Sequence, residues 1–341
     1  MKAMILAAGL GTRLRPLTNV VSKPMVQLAG RPCLEHTVRL LKKHGVNEVM
    51  VNIHYFPELI REYFGDGSSF GVDMNYSYEK ELMGTAGGLK KVESFFKNDT
   101  VLIISGDGLT DIHIQDYYRF HKEKGCIATL ALKRVENPQQ YGVVKLNEDS
   151  TINIFQEKPK IEEAVSNLAN TGIYLFEPEV FQHIPEDTFY DFGKQLFPKF
   201  VESRIKMAGY QMEGYWCDIG DLPVYREAHY DILMGLVKVE IPGKELSDNI
   251  WIGNSTQLHP DSRIQGPVVL RDNCIIEKGV QIYGPAVIGK NTVVKEGAVI
   301  KRSILWDDVC VGEGISLTDA IVAQGVNLSN EPLNLDKIVV K

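Results

Sequence analysis

The 341-residue sequence is short of cysteine, of positive charge and of long apolar runs, and each shortage removes a class of protein. Its five cysteines, Cys33, Cys126, Cys217, Cys274 and Cys310, are odd in number and widely spaced, with no C-x-x-C pair and no histidine cluster at zinc spacing. A disulfide scaffold and a structural zinc site are therefore not expected, and the thiols read as reduced and structural. Lysine and arginine number 37 against 44 aspartates and glutamates, a net charge of -7. A nucleic-acid backbone, which demands a basic face, is not an expected partner. Any bound phosphate should be held locally, by a few placed cations and backbone amides. No stretch reaches the ~18 apolar residues that span a bilayer, and residues 1–8 read as a short strand, not as a basic region leading into a hydrophobic leader. No membrane partner is expected, and a cytoplasmic location follows by default.

What remains is an ordinary globular balance, 44% apolar and 24% charged residues, in a chain long enough for two domains. Over the first 240 residues, short β-rich runs alternate with amphipathic segments, the sign of a βαβ sheet carrying helices on its faces. Strands are expected at 3–8, 48–53, 101–105 and 127–132, and helices at 33–44, 85–96 and 114–124. In the first helix Leu34, Val38 and Leu41 share a face, and Gly45 ends it. Runs at 142–146, 152–155 and 172–176 look like hairpin strands, which would make the sheet mixed.

After Pro242 the pattern changes. Apolar residues recur every six positions at Ile252, Leu258, Ile264, Leu270, Ile276, Ile282, Ile288, Val294 and Ile300. Two residues ahead of each stands a series of mostly small or β-branched residues, from Ile250 to Ala298, and Gly, Asn and Asp crowd the corners. Such a period fits a parallel β-helix in which each hexapeptide forms one flat side and its apolar residue points inward. The register slips near Trp306 and Gly312, after which Val311 and Leu317 suggest a shifted register and then a cap. The expected division is a domain at 1–240 and a β-helix domain at 241–341. A role in assembly is favoured for the latter over a second, acyltransferase-type site, since His259 is the lone histidine of the regular repeats.

The densest local signal is Leu6-Ala7-Ala8-Gly9-Leu10-Gly11-Thr12-Arg13, followed by Ser22-Lys23-Pro24. A strand running straight into Gly-x-Gly-Thr-Arg brings backbone amides close to a ligand, and glycine removes side chains that would block phosphate oxygens. Two familiar phosphate motifs are absent: the dinucleotide fingerprint needs a third glycine where Leu14 stands, and the P-loop needs Gly-Lys-Ser/Thr. Asp107 follows the apolar run at 101–104, placing its carboxylate at the carboxyl end of a strand, where α/β sheets bind ligands. Asp218 stands in Trp216-Cys217-Asp218-Ile219-Gly220. Either aspartate could instead cap a turn or helix, and Asp111 is a rival acidic ligand.

With Gly84-Thr85-Ala86-Gly87, Gly106-Asp107, Glu157-Lys158-Pro159 and Asn170-Thr171-Gly172 in the same order, the chain resembles the sugar-1-phosphate nucleotidyltransferases over nearly its whole length. The resemblance implies a Rossmann-like nucleotidyltransferase domain with a mixed sheet, followed by a left-handed parallel β-helix. It implies in-line attack of a sugar phosphate oxygen on the α-phosphorus of a nucleoside triphosphate, with pyrophosphate leaving and no covalent enzyme intermediate. Such a reaction asks the protein for alignment of two anions and neutralisation of growing charge. By the same resemblance Arg13 and Lys23 hold the triphosphate, Asp107 and Asp218 bind Mg²⁺, and Lys158 grips the sugar phosphate. Ala8, Gly9, Gly11, Thr12, Glu79, Gly84 and Thr85 line the nucleotide pocket, with Thr85 opening a helix whose amino end is near the nucleotide. Gly142, Glu157, Asn170 and Thr171 meet the sugar. The partners implied are the two substrates and further copies of the chain, as a homo-oligomer.

The form Gly84-Thr85-Ala86-Gly87 and the short β-helix tail point first to GTP and mannose 1-phosphate, giving GDP-mannose, while Gly106-Asp107-Gly108 is nearer to glucose-1-phosphate uridylyl relatives. UTP with glucose 1-phosphate is therefore the alternative. A catalytically silent, nucleotide-sugar-binding paralogue is a third reading, opposed by the presence of Arg13, Lys23, Asp107, Lys158 and Asp218 together.

Overall fold

The structure, a computed structural model, describes residues 1–247, 249–329, 334–335 and 338–339. The chain divides into two compact units, one made of Met1–Leu10, Ser22–Pro24 and Leu34–Asp218, the other of Gly11–Val21, Met25–Cys33 and Ile219–Lys341.

The first unit is built on a nine-stranded mixed sheet. At its centre β1 (Lys2–Leu6), β2 (Glu48–Ile53), β3 (Asp73–Tyr78) and β4 (Val101–Ser105) run parallel in the order β4-β1-β2-β3. Ala3, Met4, Ile5 and Val101 to Ile103 are fully buried, the continuous apolar pattern of strands covered on both faces. Outside the main sheet, β5 (Gly108–Thr110) continues from β4. The chain then makes β6 (Ala128–Arg134), β7 (Gly142–Leu146), β8 (Ile152–Glu157) and β9 (Leu168–Phe176), and β9 lies antiparallel to β4, β6 and β7. β10 (Met207–Gln211) adds a parallel strand to β6, and β11 (Trp216–Asp218) pairs antiparallel with β5. The sheet is thus mixed, as the hairpin-like runs predicted.

Two helices fall where the apolar period placed them, α1 (Cys33–Lys43) and, further on, Ile114–Lys124, which closes on Gly125 at φ 56°. Between them the expected helix over 85–96 is two pieces, α2 (Gly84–Lys91) and Glu93–Phe96, parted at Val92. Gly84, Gly87 and Gly88 make this a weak helix by propensity, and it is held by backbone contacts described below. Because β1 and β4 are neighbours whose crossovers leave in opposite directions, their carboxyl ends flank a crevice, the usual ligand position in such sheets.

In the second unit, α3 (Leu222–Leu233) starts at Asp221, whose carboxylate accepts from Val224 N at 2.9 Å. Asp221, not Asp218, caps this helix. Its Tyr225 hydroxyl donates to Gln27 O at 2.7 Å and receives the indole N–H of Trp306 at 2.9 Å, tying the helix, the small hairpin of Gln27–Leu28 with Arg31–Pro32, and the coils together.

The coils form three parallel sheets. Ile250–Ile252, Val268–Leu270 and Ala286–Ile288 stack on one side, Gln257–Leu258, Ile275–Ile276 and Val293–Val294 on a second, and Arg263–Gln265, Gln281–Tyr283 and Val299–Lys301 on the third. Leu270, Ile282, Ile288, Val294 and Ile300 are fully buried, whereas Leu258, in the end coil, is 37% exposed. The slip in period is one residue lost at the corner before Ile304, where Arg302 alone stands in place of the Gly-Pro of Gly266-Pro267 and Gly284-Pro285 and Ser303 takes the position of Ala286. Buried Ser303 fills that corner, donating to Lys301 O at 2.7 Å and accepting from Ala320 N at 3.1 Å. Beyond it the coils continue through Ile321–Val322, Asn334–Leu335 and Ile338–Val339, where the sequence pattern suggested a cap. A lost residue masks a six-residue period without ending the stack. Among the described residues no helix is long and apolar enough to cross a membrane.

Candidate active site

The crevice at the ends of β1 and β4 opens into a cavity of about 280 Å³ lined by Ala8, Gly9, Asn52, Glu79, Leu82, Gly84, Thr85, Ser105, Asp107, Phe189 and Asp191 among others. Of the residues expected around a nucleotide, Ala8, Gly9, Glu79, Gly84 and Thr85 are brought together here. Gly11, Thr12 and Arg13 belong to the second unit. There Gly11, at φ 62°, begins a one-turn helix over Thr12–Leu14 and its carbonyl receives the Thr18 hydroxyl at 2.8 Å. A side chain on Gly220 would come within 3.0 Å of the exposed Arg13 guanidinium.

One hydrogen-bonded bracket shapes the cavity. Ala7 N donates to Asn52 Oδ1 at 2.7 Å, Asn52 Nδ2 to Glu79 Oε1 at 2.8 Å, and Met83 N to Glu79 Oε2 at 3.1 Å. Asn52 and Glu79 are both buried, so their polar groups need these partners. A Cβ at Gly88 would lie 2.6 Å from Glu79 Oε1, which accounts for glycine there. Glu79 is thus a structural tie as well as a lining residue. The motif at 84–87 has a similar cause: a Cβ on Gly84 (φ 74°) would meet Tyr190 O at 2.5 Å, and one on Gly87 would meet Thr188 O at 2.6 Å. The expected opening of the α2 amino end toward a nucleotide is not what its amides show, since Ala86 N and Gly87 N both donate to Tyr190 O at 2.9 Å. Thr85 Oγ1 donates to Asp191 Oδ2 and accepts from Phe192 N, each at 2.9 Å.

The acidic residues meet across β5 and β11. Asp218 lies opposite Gly108, next to Asp107, and the Lys23 ammonium stands between the carboxylates, 2.6 Å from Asp107 Oδ2 and 3.4 Å from Asp218 Oδ1. Lys23 is 7% exposed, and such a buried charge must be paired. Ser105 Oγ also donates to Asp107. Burial works to raise the Asp107 carboxyl, but the charge and hydrogen bond of Lys23, with Ser105, outweigh it and hold the group below the usual carboxylate range. The rival Asp111 accepts from Tyr215 N at 2.7 Å and holds the loop at Gly214.

These carboxylates fit Mg²⁺. It takes hard oxygens, commonly one or two carboxylates with substrate phosphates completing the shell. Asp107 and Asp218 supply such a pair, both facing the one point that the Lys23 ammonium occupies. Among the described residues no group of three His, Cys, Asp or Glu converges to hold a metal by protein alone, so phosphate oxygens would be needed.

The expected sugar side lies along β7, β8 and β9. Glu157 pairs with Gly142 across the strands, and a Cβ at Gly142 or Gly193 would crowd its Oε2, at 2.9 and 2.6 Å. Burial raises the Glu157 carboxyl, Asp191 adds to this, and Lys158 and Lys194 offset it only in part. Lys158 follows at φ 47°, a left-handed backbone uncommon outside glycine, its amide donating to Tyr141 O at 3.1 Å. The β9 ladder is irregular between Asn170 and Tyr174, where Gly172 adopts φ 77° and Asn170 Nδ2 donates to the Tyr174 hydroxyl at 2.9 Å. The Thr171 hydroxyl is spent on Ala131 O at 2.8 Å, and its carbonyl receives the Trp216 indole at 3.0 Å.

Asn52, Ser105, Phe189 and Asp191 were not singled out from sequence. Asn52 carried a signal, a polar residue inside the apolar run that follows Glu48 in its strand, whereas Asp191 shows its role only in the structure, capping Gly193 N and Lys194 N at 3.0 and 3.1 Å.

Residues 2–235 match the sequence profile of the family described as nucleotidyl transferase, and residues 267–302 match the bacterial transferase hexapeptide repeat, the sequence of left-handed β-helices. A UTP–glucose-1-phosphate uridylyltransferase of Synechocystis is 41% identical over 337 residues, spanning 94% of this chain and 87% of the relative. A mannose-1-phosphate guanylyltransferase of Mycobacterium tuberculosis is 29% identical over 299 residues, spanning 81% and 83%. Among solved structures, a Bacillus anthracis protein described provisionally as a glucose-1-phosphate thymidylyltransferase, in complex with sucrose, superposes with a TM-score of 0.62 at 28% identity, covering 67% of this chain and 94% of that one.

Proposed function

The chain belongs to the sugar-1-phosphate nucleotidyltransferases, and from that premise we propose that it transfers a uridylyl group from UTP to glucose 1-phosphate, releasing pyrophosphate. The reading rests on one observation: Lys23 gathers Asp107 and Asp218, from distant parts of the chain, around a single cation position beside the nucleotide cavity.

In this reading a phosphate oxygen of the sugar phosphate forms the new bond to the α-phosphorus as the bond to pyrophosphate breaks. The attacking oxygen is already anionic, so no general base is needed. The protein's tasks are alignment and charge neutralisation. Asp107 and Asp218 would hold Mg²⁺, which would supply positive charge to the phosphates. Lys23 and Arg13 would hold the triphosphate oxygens and the departing pyrophosphate, and Lys158 the sugar phosphate as a compact charge. Glu157 and Asn170 would hydrogen-bond sugar hydroxyls, with Gly142 leaving room for Glu157.

Support for uracil over guanine comes from the cavity and from the relatives. Each carboxylate that lines it is already engaged, Glu79 by Asn52 and Met83, Asp191 by Thr85, Gly193 and Lys194, and Asp107 by Lys23 and Ser105. Guanine presents both an amino and an imino donor and uracil the single N3–H, so uracil asks for fewer acceptors than these engaged carboxylates would have to supply. The uridylyltransferase relative also matches almost the whole chain. GTP with mannose 1-phosphate is the second reading, favoured by the motif at 84–87 and by the guanylyltransferase relatives. We further propose a homo-oligomer assembled through the β-helix.

The test is pyrophosphate release with Mg²⁺ for four nucleoside triphosphates against glucose, mannose, galactose and glucosamine 1-phosphates. The highest kcat/KM should belong to UTP with glucose 1-phosphate. A preference for GTP with mannose 1-phosphate would reverse the two readings, and release with no pair would return the silent paralogue.

A further inference from the structure

We infer that Lys23 is a resident counter-ion that keeps the divalent metal out of the site until nucleotide phosphates draw its ammonium away. The inference rests on the assignment of Asp107 and Asp218 as the metal ligands. With its Nζ 2.6 Å from Asp107 Oδ2 and 3.4 Å from Asp218 Oδ1, Lys23 occupies the place that a cation bridging them would take. An ammonium and a divalent ion cannot share that gap, because both need the same oxygens and repel at contact distance. Metal arriving alone would have to evict Lys23, and the side chain, 7% exposed, has little solvent to retreat into. Phosphates change the balance: they offer the ammonium a stronger anionic partner and bring the remaining oxygens that the metal requires.

A second observation bears on the turn that carries Lys23. Ser22 Oγ is completely buried and has no hydrogen-bond partner, a state that costs free energy and that a shift of the turn can relieve. One lysine thus has two positions, on the carboxylates before nucleotide binds and on the phosphates afterwards. Metal and nucleotide affinities are then coupled, each tightening the other by the same factor.

The experiment is a titration of the nucleotide-free protein with Mn²⁺ alone, followed by electron paramagnetic resonance of the unbound ion. Lys23→Met should bind Mn²⁺ at least about tenfold more tightly than wild type. Lys23→Arg, which retains the charge, should bind as weakly as wild type, and Lys23→Met with Asp218→Asn should lose the gain. A damaged fold cannot produce tighter binding, and far-UV circular dichroism confirms that each variant is folded. Lys23→Met binding no more tightly than wild type would overturn the inference, as would Lys23→Arg binding as tightly as Lys23→Met. In either case Mg²⁺-dependent pyrophosphate release by wild type would leave the metal ligands standing. Absence of both saturable Mn²⁺ binding and metal dependence would remove the ligand assignment and the inference together.

Discussion

The mixed sheet and the coils bury different things. In the sheet unit the interior contains Lys23, Glu35, Asn52, Glu79, His121 and Thr171, all under 9% exposed. Several are tied to one another or to main chain: Glu35 accepts from Arg39 and Tyr63, Asn52 bridges Ala7 and Glu79, and His121 sits between Thr129 and Glu177. Among the described residues of the coils, Thr292 and Ser303 are the buried polar side chains, and the remaining core is aliphatic with Cys274 and Trp306. Buried polar groups gain little net stability over apolar packing, but they fix positions and directions. The sheet unit accepts that cost where chemistry needs placed charges, and the coils avoid it.

Substitutions should separate the two regions. The largest effect belongs to the coils: Ile282→Ala deletes a fully buried side chain from the stack and should destabilise by ~2–5 kcal/mol in thermal or denaturant unfolding, with turnover in the cold preserved. Loss of turnover without loss of stability would break the division. Next is Asp218→Asn, expected to lower turnover by ~100-fold or more, about 2.7 kcal/mol in the barrier, with the unfolding midpoint nearly unchanged. The side chain is 35% exposed and Lys23 keeps Asp107, so the fold tolerates the change. Near-normal pyrophosphate release would remove Asp218 from the metal site. Smaller again is Asn52→Ala, which strands Ala7 N and Glu79 Oε1 at ~1–3 kcal/mol. Since it reshapes the nucleotide cavity and leaves the carboxylate pair alone, KM for the triphosphate should rise several-fold while kcat holds. A fall in kcat with unchanged KM would contradict this.

Legibility followed the same division. The coils announced themselves because each side repeats one rule, an inward aliphatic every six residues, and failed to read where a residue is lost before Ile304 and again before Ile321, so that the stack runs on where a cap was suggested. The central strands were legible from their continuous apolar runs, with 48–53 and 101–105 matching β2 and β4 in full. Less was legible in the site. The ion cluster depends on the pairing of β5 with β11, more than a hundred residues apart, which no local pattern encodes. Gly84 was expected to line the nucleotide pocket by virtue of its motif, and it does border the cavity, yet Gly84 and Gly87 are held to glycine by the backbone of Thr188 and Tyr190. Such close approaches arise from tertiary packing, so the residue type shows a constraint without showing its source. The hydroxyl of Thr171, a residue expected at the sugar, donates to Ala131 O.

The subtlest consequence concerns acid. His121 is 1% exposed, and burial, with the Lys122 charge adding to it, lowers its pKa from the ordinary 6.5 despite the opposing pull of Glu177. The unfolded chain therefore binds a proton that the folded sheet unit resists, and stability should fall as pH drops below about 6.5 toward the folded value. Glu177 acts at lower pH: burial tends to raise its carboxyl, but Lys122 and His121 outweigh that and depress it below 4.5, so its contribution is lost as pH falls through that depressed value. In the coils, burial pushes the Cys274 thiol up to about 12, and it stays protonated throughout. Hydrogen exchange, corrected for intrinsic rates, should show β6 and β9 losing protection between pH 7 and 5 while Ala286–Ile288 and Val293–Val294 do not. His121→Asn should flatten that slope by removing the titrating ring. Equal slopes in sheet and coils would show that acid sensitivity does not follow the buried polar groups, and the contrast between the two regions would then be one of composition alone.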